Sequence, residues 1–229
     1  MGIFDNLKLP KIIYETTSPF NGRIEVWEVG KTTKLLSNGT VQSVNWDSPS
    51  AARMVFGKVV DVLKEQEPNL KNVMVMGLAG GAMQHLISKS FPAAEIVSVE
   101  IDEVMIEIAK NYFKLEDIPN HSVICADALR IVIDPEKYGL TPKSFDALVV
   151  DIYCGDKFPD LGKSGNFLAS LKRMLRDGGL VIFNRLYLES HQDEVDIFVE
   201  SLGEFFKDVD TLTIAGKTNS DNILIFGRA

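Results

Sequence analysis

The sequence predicts an α/β fold, in which a doubly wound, mostly parallel, Rossmann-like sheet follows a small N-terminal antiparallel β unit. Strand-like and helix-like segments alternate from residue 48 to about residue 206, which indicates parallel strands joined by right-handed helical crossovers. Before this region, short strand-like segments separated by Asn-Gly dipeptides are typical of antiparallel hairpins. After it, two strand-like segments around a Gly/Asn/Ser turn predict a hairpin at one edge of the large sheet.

The N-terminal β unit is predicted to span residues 1–47. Its segment RIEVWEV, residues 23–29, alternates polar and apolar side chains, as a half-exposed antiparallel strand does. Asn-Gly pairs at residues 21–22 and 38–39 suit the positive φ angles of tight hairpin turns. We therefore expect the larger, Rossmann-like domain to span residues 48–229.

The larger domain begins with a predicted helix, for which Ser48 is a suitable cap and Pro49 the first helical residue. Strands are expected near residues 72–77, 95–100, 121–125, 145–151 and 179–184. Helices are expected near residues 80–90, 103–113, 127–133, 162–176 and 190–206. Parallel strands in this order bring their carboxyl ends to one edge of the sheet.

The composition argues against several classes of protein. Acidic residues outnumber basic ones by 32 to 24, the net charge is −8 and no basic run is present, so no nucleic-acid partner is expected. No apolar run approaches the roughly 20 residues of a membrane span, and no signal-peptide pattern is visible. We expect a cytoplasmic protein with reduced thiols at Cys125 and Cys154. The three histidines lack metal-ligand spacing, so no metal is expected.

The carboxyl ends of the predicted strands carry a set of residues typical of ligand binding, because open α/β sheets bind ligands there. The set consists of Gly77, Gly80, Gly81, Glu100, Asp127 and Asp151. Glycines let a ligand approach the backbone, and an acid about twenty residues past such a turn commonly hydrogen-bonds both ribose hydroxyls. The set therefore predicts a ligand that contains a nucleoside.

The glycine turn narrows the choice of nucleoside. It reads GLAGG at residues 77–81, instead of the G-x-G-x-x-G pattern of dinucleotide-binding proteins. The acid after the third strand, Asp127, suits the amino group of adenine. Together these residues indicate a ligand of the S-adenosylmethionine type.

Several segments, in their order and spacing, resemble the spermidine synthase family of polyamine aminopropyltransferases, which is built on the Rossmann fold of class I methyltransferases. The segments are NGTVQSVNWDSPSAARM (38–54), VMVMGLAGGAM (73–83), VSVEIDEVMIEIAKNYF (97–113), VICADALRIV (123–132) and FDALVVDIY (145–153). The combination is fairly specific, whereas any single segment is not.

The resemblance implies a role for each matching residue. Gln42 would contact the methionine-derived part of the cofactor, Glu100 would hold the ribose, and Asp127 with Ala128 would contact the adenine. Asp151 matches the catalytic aspartate of the family, which orients and helps deprotonate the attacking amine, whose own pKa lies near ~10.4. The cofactor-binding set is completed by Gly77, Ala79, Gly80, Gly81 and Ile101, with Asp151 contributing to it as well.

The departures from the family pattern lie on the acceptor side. Ala79 replaces an aspartate that faces the amino group of decarboxylated S-adenosylmethionine in the family. Ala51 and Arg53 replace a tyrosine and a glutamate, and an arginine is electrostatically hostile to a diamine. Cys154 replaces a second acid, and Asp156 lies two residues beyond it. The residues expected to line the substrate pocket are Tyr153, Cys154, Asp156 and Arg53.

Three functions stay open on the sequence. The first is a transferase that binds S-adenosylmethionine or its decarboxylated form and moves an alkyl (aminopropyl) group to a small-molecule amine acceptor other than putrescine. The second is S-adenosylmethionine-dependent methyl transfer, which Ala79 favours. The third is a non-catalytic protein that binds the nucleoside or serves as an interaction partner. The resemblance also implies a homodimer formed partly through the N-terminal strands, and no membrane partner is expected.

Overall fold

The structure is a computed structural model that describes residues 9–153, 158–159, 164–187, 192–215 and 221–229. Its N-terminal sheet has four sequential antiparallel strands. They are β1 (Lys11–Ser18), β2 (Gly22–Val29), β3 (Thr32–Ser37) and β4 (Thr40–Val44). The prediction of a small antiparallel unit before the main sheet is confirmed, while the exact domain boundary at residues 47–48 stays a prediction.

The large sheet has seven strands in the order β10-β11-β9-β8-β5-β6-β7. They are β5 (Asn72–Met76), β6 (Glu95–Glu100), β7 (His121–Cys125), β8 (Phe145–Val150), β9 (Leu175–Tyr187), β10 (Lys207–Ile214) and β11 (Asp221–Arg228). β5 to β9 pair in parallel, and β10 and β11 form the antiparallel hairpin expected at the edge. The strand order reverses between β5 and β8, which makes their carboxyl ends the place for a ligand.

Six helices connect these strands. They are α1 (Val55–Gln66), α2 (Ala82–Ser90), α3 (Glu103–Phe113), α4 (Ala128–Ile133), α5 (Gly165–Met174) and α6 (Gln192–Gly203). α1, α2 and α3 pack on one face of the sheet, and α4, α5 and α6 pack on the other. Successive residues of β5 alternate between the two cores, with Val73 and Val75 in the first and Met74 and Met76 in the second. No helix in the described ranges is long and apolar enough to cross a membrane.

The predicted start of the first helix at Ser48 is wrong. The Ser48 hydroxyl lies 3.2 Å from the Thr32 hydroxyl and its backbone N–H donates to the Asn45 carbonyl, so this residue completes the turn after β4. A single 3₁₀ turn follows at Ala51–Arg53 and ends at Met54, whose backbone is extended. The α-helix can therefore begin only at Val55.

The small sheet packs against α3 through a cluster of its own. Its described members are Ile24, Val26 and Leu35 of the small sheet and Met105, Ile108 and Phe113 of α3. Asp102, the N-cap of α3, adds a polar connection, because its carboxylate accepts hydrogen bonds from the Ser18 hydroxyl and from the Asn21 side chain at 2.7 Å. The small sheet and its first turn therefore contact α3 through an apolar region and through a polar region at the N-cap.

His121, the first residue of β7 in the large sheet, is expected to make the stability of the fold sensitive to acid. The Nε2 atom of His121 lies 2.9 Å from the Ser98 hydroxyl, which also accepts a hydrogen bond from Gln84. Burial, with a smaller contribution from nearby His85, lowers the pKa of His121 to about 4. The unfolded chain takes up this proton near pH 6.5, so the free energy of unfolding should fall as the pH drops from 6.5 towards 4.

We expect the variant His121→Gln to lose that part of the acid sensitivity, because glutamine can still hydrogen-bond Ser98 but cannot be charged. Between pH 7 and pH 5 the free energy of unfolding of the wild type should fall by about 2 kcal/mol more than that of the variant. Urea denaturation at the two pH values measures this difference. Equal losses in both proteins would contradict a buried, neutral His121.

Candidate functional site

The glycine turn after β5 is pressed against the end of β8. Gly77 has a φ of +100°, and a Cβ atom there would lie 2.2 Å from the carbonyl oxygen of Asp151. In return, the Asp151 N–H donates to the Met76 carbonyl at 2.9 Å. Only glycine fits this position, because it tolerates the positive φ and leaves room for the neighbouring backbone. The turn and Asp151 are therefore fixed next to each other at the point where the strand order reverses.

The small sheet lies against the other side of the turn. A Cβ atom at Gly80 would lie 2.9 Å from the Ser43 hydroxyl and 3.1 Å from the ring of Phe113. Ser43 is buried on β4, and the half-buried Gln42 precedes it on the same strand. Strand β4 thus touches the glycine turn through Ser43, while the predicted role of Gln42 stays a prediction, and Gly81 ends the turn as the N-cap of α2.

Ala79, in the middle of the turn, has a left-handed backbone with a φ of +47°. This conformation costs a residue with a Cβ atom about 1–2 kcal/mol, and aspartate and asparagine adopt it more readily than alanine. The backbone alone would therefore favour an aspartate at this position. The consequence of alanine is electrostatic, since the turn presents no carboxylate to a ligand.

Glu100, the last residue of β6, has its carboxylate oriented by two backbone groups. One oxygen accepts from the Leu78 N–H at 3.1 Å and the other from the Asp102 N–H at 3.0 Å. Burial raises the pKa of this carboxyl, and the backbone hydrogen bonds oppose that shift. A carboxylate oxygen has two lone pairs, so each oxygen retains one acceptor position for a further donor. Two such positions, side by side, match the two adjacent hydroxyls of a ribose.

The residues predicted to contact adenine lie at the next strand end. The Ala126 N–H donates to the Glu100 carbonyl at 2.9 Å and so keeps the end of β7 next to the end of β6. Asp127 follows as the N-cap of α4, with one carboxylate oxygen accepting from the Leu129 N–H at 2.9 Å. Ala128 is buried, whereas the Ile101 side chain is 40% exposed and offers an apolar surface for an aromatic ring.

Asp151 is half-buried directly after β8 and is held by a chain of two amides. The Asn184 side-chain amide donates to one Asp151 oxygen at 2.7 Å. The Asn184 side-chain oxygen in turn accepts from Asn222 at 2.9 Å, so the NH₂ group of Asn184 is the one that faces Asp151. Burial raises the pKa of Asp151 to about 6, opposed by the hydrogen bond from Asn184. The carboxylate keeps its second oxygen for another partner.

Asn184 was missing from the predicted site. It is 3% exposed on β9, and its backbone carbonyl accepts a hydrogen bond from the Tyr153 hydroxyl at 2.9 Å. Burial and the neighbouring Asp151 raise the pKa of this phenol. The sequence signal for Asn184 is that a polar residue directly follows the apolar segment LVIF, residues 180–183. This segment belongs to the predicted strand that comes after the one carrying Asp151.

The predicted acceptor pocket is only partly brought together. Tyr153 joins Asp151 through Asn184. Arg53 is exposed in the 3₁₀ turn before α1, and no contact in the described part of the chain connects it to Tyr153 or Asp151. Cys154 and Asp156 lie outside the described residues, so their predicted place in the pocket stays a prediction.

The residues present fit an S-adenosylmethionine-type nucleoside. Gly77 and Gly80 form a surface that a Cβ atom would fill, Glu100 offers two adjacent acceptor positions, and the apolar Ile101 is exposed beside it. Asp151 lies against the same turn at Gly77. All of these belong to the predicted cofactor-binding set.

Comparisons with known proteins identify the family of the chain. Residues 55–229 match the family described as "Spermine/spermidine synthase domain". The polyamine aminopropyltransferase of Vibrio vulnificus is 27% identical over 169 residues, which cover 72% of this chain and 56% of that protein. An eEF1A lysine and N-terminal methyltransferase homolog of Drosophila melanogaster is 33% identical over 122 residues, which cover 50% of this chain and 17% of that protein. The chain thus spans about half the length of the curated aminopropyltransferase it matches.

The fold is also that of a solved structure. The spermidine synthase from Thermotoga maritima superimposes with a TM-score of 0.75 at 16% sequence identity, covering 95% of this chain and 72% of that one. At this identity the likeness shows the fold, and the predicted fold class is confirmed by it.

Proposed function

Because the chain belongs to the spermine/spermidine synthase domain family, we propose that it is a transferase that binds S-adenosylmethionine or its decarboxylated form. In this proposal it moves an alkyl group, foremost an aminopropyl group, to a small amine acceptor other than putrescine. The observation that carries the proposal is the placement of two carboxylates at the ends of β6 and β8, the strands on either side of β5 and its glycine turn. Glu100 is oriented by two backbone N–H groups, and Asp151 has a pKa raised to about 6.

In this proposal each residue of the site contacts a different part of the nucleoside. Glu100 would hold the ribose, Ile101 and Ala128 would pack against the adenine, and Asp127 would accept from its amino group. Gln42 would contact the chain attached to sulfur. When bound, the sulfonium nucleoside supplies an electrophilic carbon next to a leaving group. The glycine turn lets this part of the ligand lie directly on the backbone, close to Asp151.

Asp151 would act as the base for the acceptor amine. At neutral pH its carboxylate is ionised and can hold a protonated amine by a charge-assisted hydrogen bond. An amine of pKa ~10.4 gives its proton more easily to a carboxyl of raised pKa than to an ordinary one. The rise of the Asp151 pKa from 3.8 to about 6 makes proton transfer from the amine to this carboxylate less unfavourable by about 3 kcal/mol. Asn184 occupies one oxygen of Asp151 and leaves the other for the amine.

Methyl transfer is the second candidate, and Ala79 is the observation that favours it. A turn without a carboxylate lacks the repulsion that an aspartate would exert on the carboxylate of intact S-adenosylmethionine. It equally lacks an anchor for the amino group of the decarboxylated form. The similarity to the Drosophila methyltransferase homolog supports keeping this candidate.

Isothermal titration calorimetry with both sulfonium nucleosides and with 5′-methylthioadenosine tests the proposal without knowledge of the acceptor. We expect 5′-methylthioadenosine to bind and Glu100→Gln to weaken its binding by roughly tenfold or more, because the charged acceptor for the ribose is lost. Glu95→Gln is the matched control, since Glu95 is an exposed residue at the opposite end of β6.

The outcomes separate the candidates. Much tighter binding of the decarboxylated form would exclude methyl transfer, and much tighter binding of intact S-adenosylmethionine would exclude aminopropyl transfer. Failure of all three nucleosides to bind, or equal effects of Glu100→Gln and Glu95→Gln, would overturn the proposed site.

A further inference from the structure

Arg185 has a buried guanidinium group that is paired, at long range, with an exposed glutamate. It is 5% exposed on β9, and its Nε and Nη1 atoms have no hydrogen-bond partner there. The carboxylate of Glu194 lies 3.9 Å from Nη2, beyond hydrogen-bond distance, and that side chain is 56% exposed. Burying a cation in this way is unfavourable unless a hydrogen-bonded anion compensates it.

Aromatic rings supply only part of that compensation. The guanidinium carbon lies 5.0 Å from the ring centre of Phe158 and 4.9 Å from that of Phe198, so the cation contacts two rings that also pack edge to face with each other. Such contacts favour a planar cation but satisfy none of its N–H groups. Burial also lowers the pKa of Arg185, yet an arginine keeps its charge in proteins. Two buried nitrogen atoms of a charged side chain therefore lack a hydrogen-bond acceptor among the described residues.

Arg185 adjoins the residues that hold Asp151. It follows Asn184 on β9, and Asn184 donates to Asp151. Tyr153, whose hydroxyl donates to the Asn184 carbonyl, packs edge-on against Phe158, one of the two rings that contact Arg185. A continuous set of contacts therefore runs from the carboxylate proposed to bind the amine to the buried guanidinium.

From this arrangement we propose that Arg185 binds an oxyanion of the acceptor, either a carboxylate or a phosphate. The inference rests on the proposed function, because it names the substrate class of the same site. An acceptor would place its amine at Asp151 and its anionic group at Arg185. A buried guanidinium repels the second ammonium of a diamine, so we expect the same residue to make a diamine a poor acceptor.

Four amines of similar length test the assignment. They are 4-aminobutanoate, 3-aminopropyl phosphate, n-butylamine and butane-1,4-diamine, which differ in the group at the far end. Each is titrated calorimetrically into protein saturated with 5′-methylthioadenosine. We expect an anionic amine to bind roughly tenfold or more tightly than the diamine, with n-butylamine between them. The comparison of the first two amines identifies which oxyanion the site prefers.

Variants test whether Arg185 causes the preference for an anionic amine over the diamine. Arg185→Gln should abolish it while the dissociation constant of 5′-methylthioadenosine changes by less than about threefold. Arg185→Lys, which keeps the charge, should retain part of the preference and serves if the glutamine variant does not fold. Arg23→Gln is the matched control, because it removes an exposed arginine of β2 that pairs with Glu15 and belongs to no predicted site.

Two results would overturn the inference. One is binding of butane-1,4-diamine by the wild type at least as tightly as the anionic amines. The other is retention of the preference in Arg185→Gln, or its equal loss in Arg23→Gln. If 5′-methylthioadenosine itself does not bind, the proposed function fails, and the same titrations on the unliganded protein, with the same expected order, decide the role of Arg185.

Discussion

Replacement of Asp151 by asparagine is expected to lower kcat by a factor of about 10² to 10⁴, because the acceptor amine then loses its base. The amide can still accept the hydrogen bond from Asn184, so the site should keep its shape and its affinity for 5′-methylthioadenosine. Turnover is measured as release of the thioether nucleoside, with the tightest-binding amine of the series above as acceptor. Wild-type kcat/KM should fall about tenfold per pH unit below pH 6, where the carboxylate becomes protonated.

Asp146→Asn is the matched control for this experiment. Asp146 lies at the opposite end of the same strand, where it accepts hydrogen bonds from Arg176 and from the backbone of Lys71 and Asn72. Its replacement should reduce stability and leave kcat unchanged. Full turnover by Asp151→Asn, or equal losses in the two variants, would show that Asp151 is not the base.

Asp151→Asn should also stabilise the protein at neutral pH. A carboxyl whose pKa is raised from 3.8 to about 6 on folding gives stability that is present below pH 3.8 and lost as the pH rises through 6. At pH 7.5 the Asp151→Asn variant should therefore exceed the wild type by up to about 3 kcal/mol in free energy of unfolding, and near pH 4 the two should converge. This dependence is opposite in sign to that of His121, whose stabilising effect is lost as the pH falls.

Gly77→Ala is expected to destabilise the fold by about 3 kcal/mol or more and to leave much of the protein insoluble. The added carbon would lie 2.2 Å from the carbonyl oxygen of Asp151, which is backbone and cannot rotate away. Either β5 and β8 separate or the turn changes its conformation, and both disrupt the centre of the sheet. Chemical denaturation of the soluble fraction measures the loss.

Gly139→Ala separates the steric effect from the effect of positive φ. Gly139 has a φ of +73°, and a Cβ atom there would meet nothing within 4 Å. Its replacement should cost only about 1–2 kcal/mol, the ordinary cost of a left-handed residue with a Cβ atom. Similar losses in both variants would mean that the contact between Gly77 and Asp151 does not control stability.

Sequence patterns predicted the strand ends well, because strand and helix periodicities differ and parallel strands all end at one edge. β6 and β7 have the predicted limits of 95–100 and 121–125, and α3 has the predicted limits of 103–113. This explains why Gly77, Glu100, Asp127 and Asp151 could be placed on one edge before any coordinates were known. Their chemical roles stay predictions that the experiments above address.

Contacts between segments distant in sequence could not be predicted in the same way. Asn184 acquires its importance from Asn222 and Asp151, 38 and 33 residues away along the chain. The burial of Arg185 depends on Phe158 and Phe198, which come from two further segments. The first helix was placed too early because Ser48 fits a helix cap locally, whereas its hydroxyl contacts Thr32 of the small sheet.

The docking of β2 and β3 on α3 limits how such chains can be recombined. A chimera joined at residue 48 would place foreign side chains against Met105, Ile108 and Phe113, and would separate Asp102 from Ser18 and Asn21. The family match begins only at residue 55, yet the helix that supports the preceding strands lies well inside it. The N-terminal strands and α3 are thus best exchanged as one cassette, and a crossover after residue 113 would preserve their shared packing.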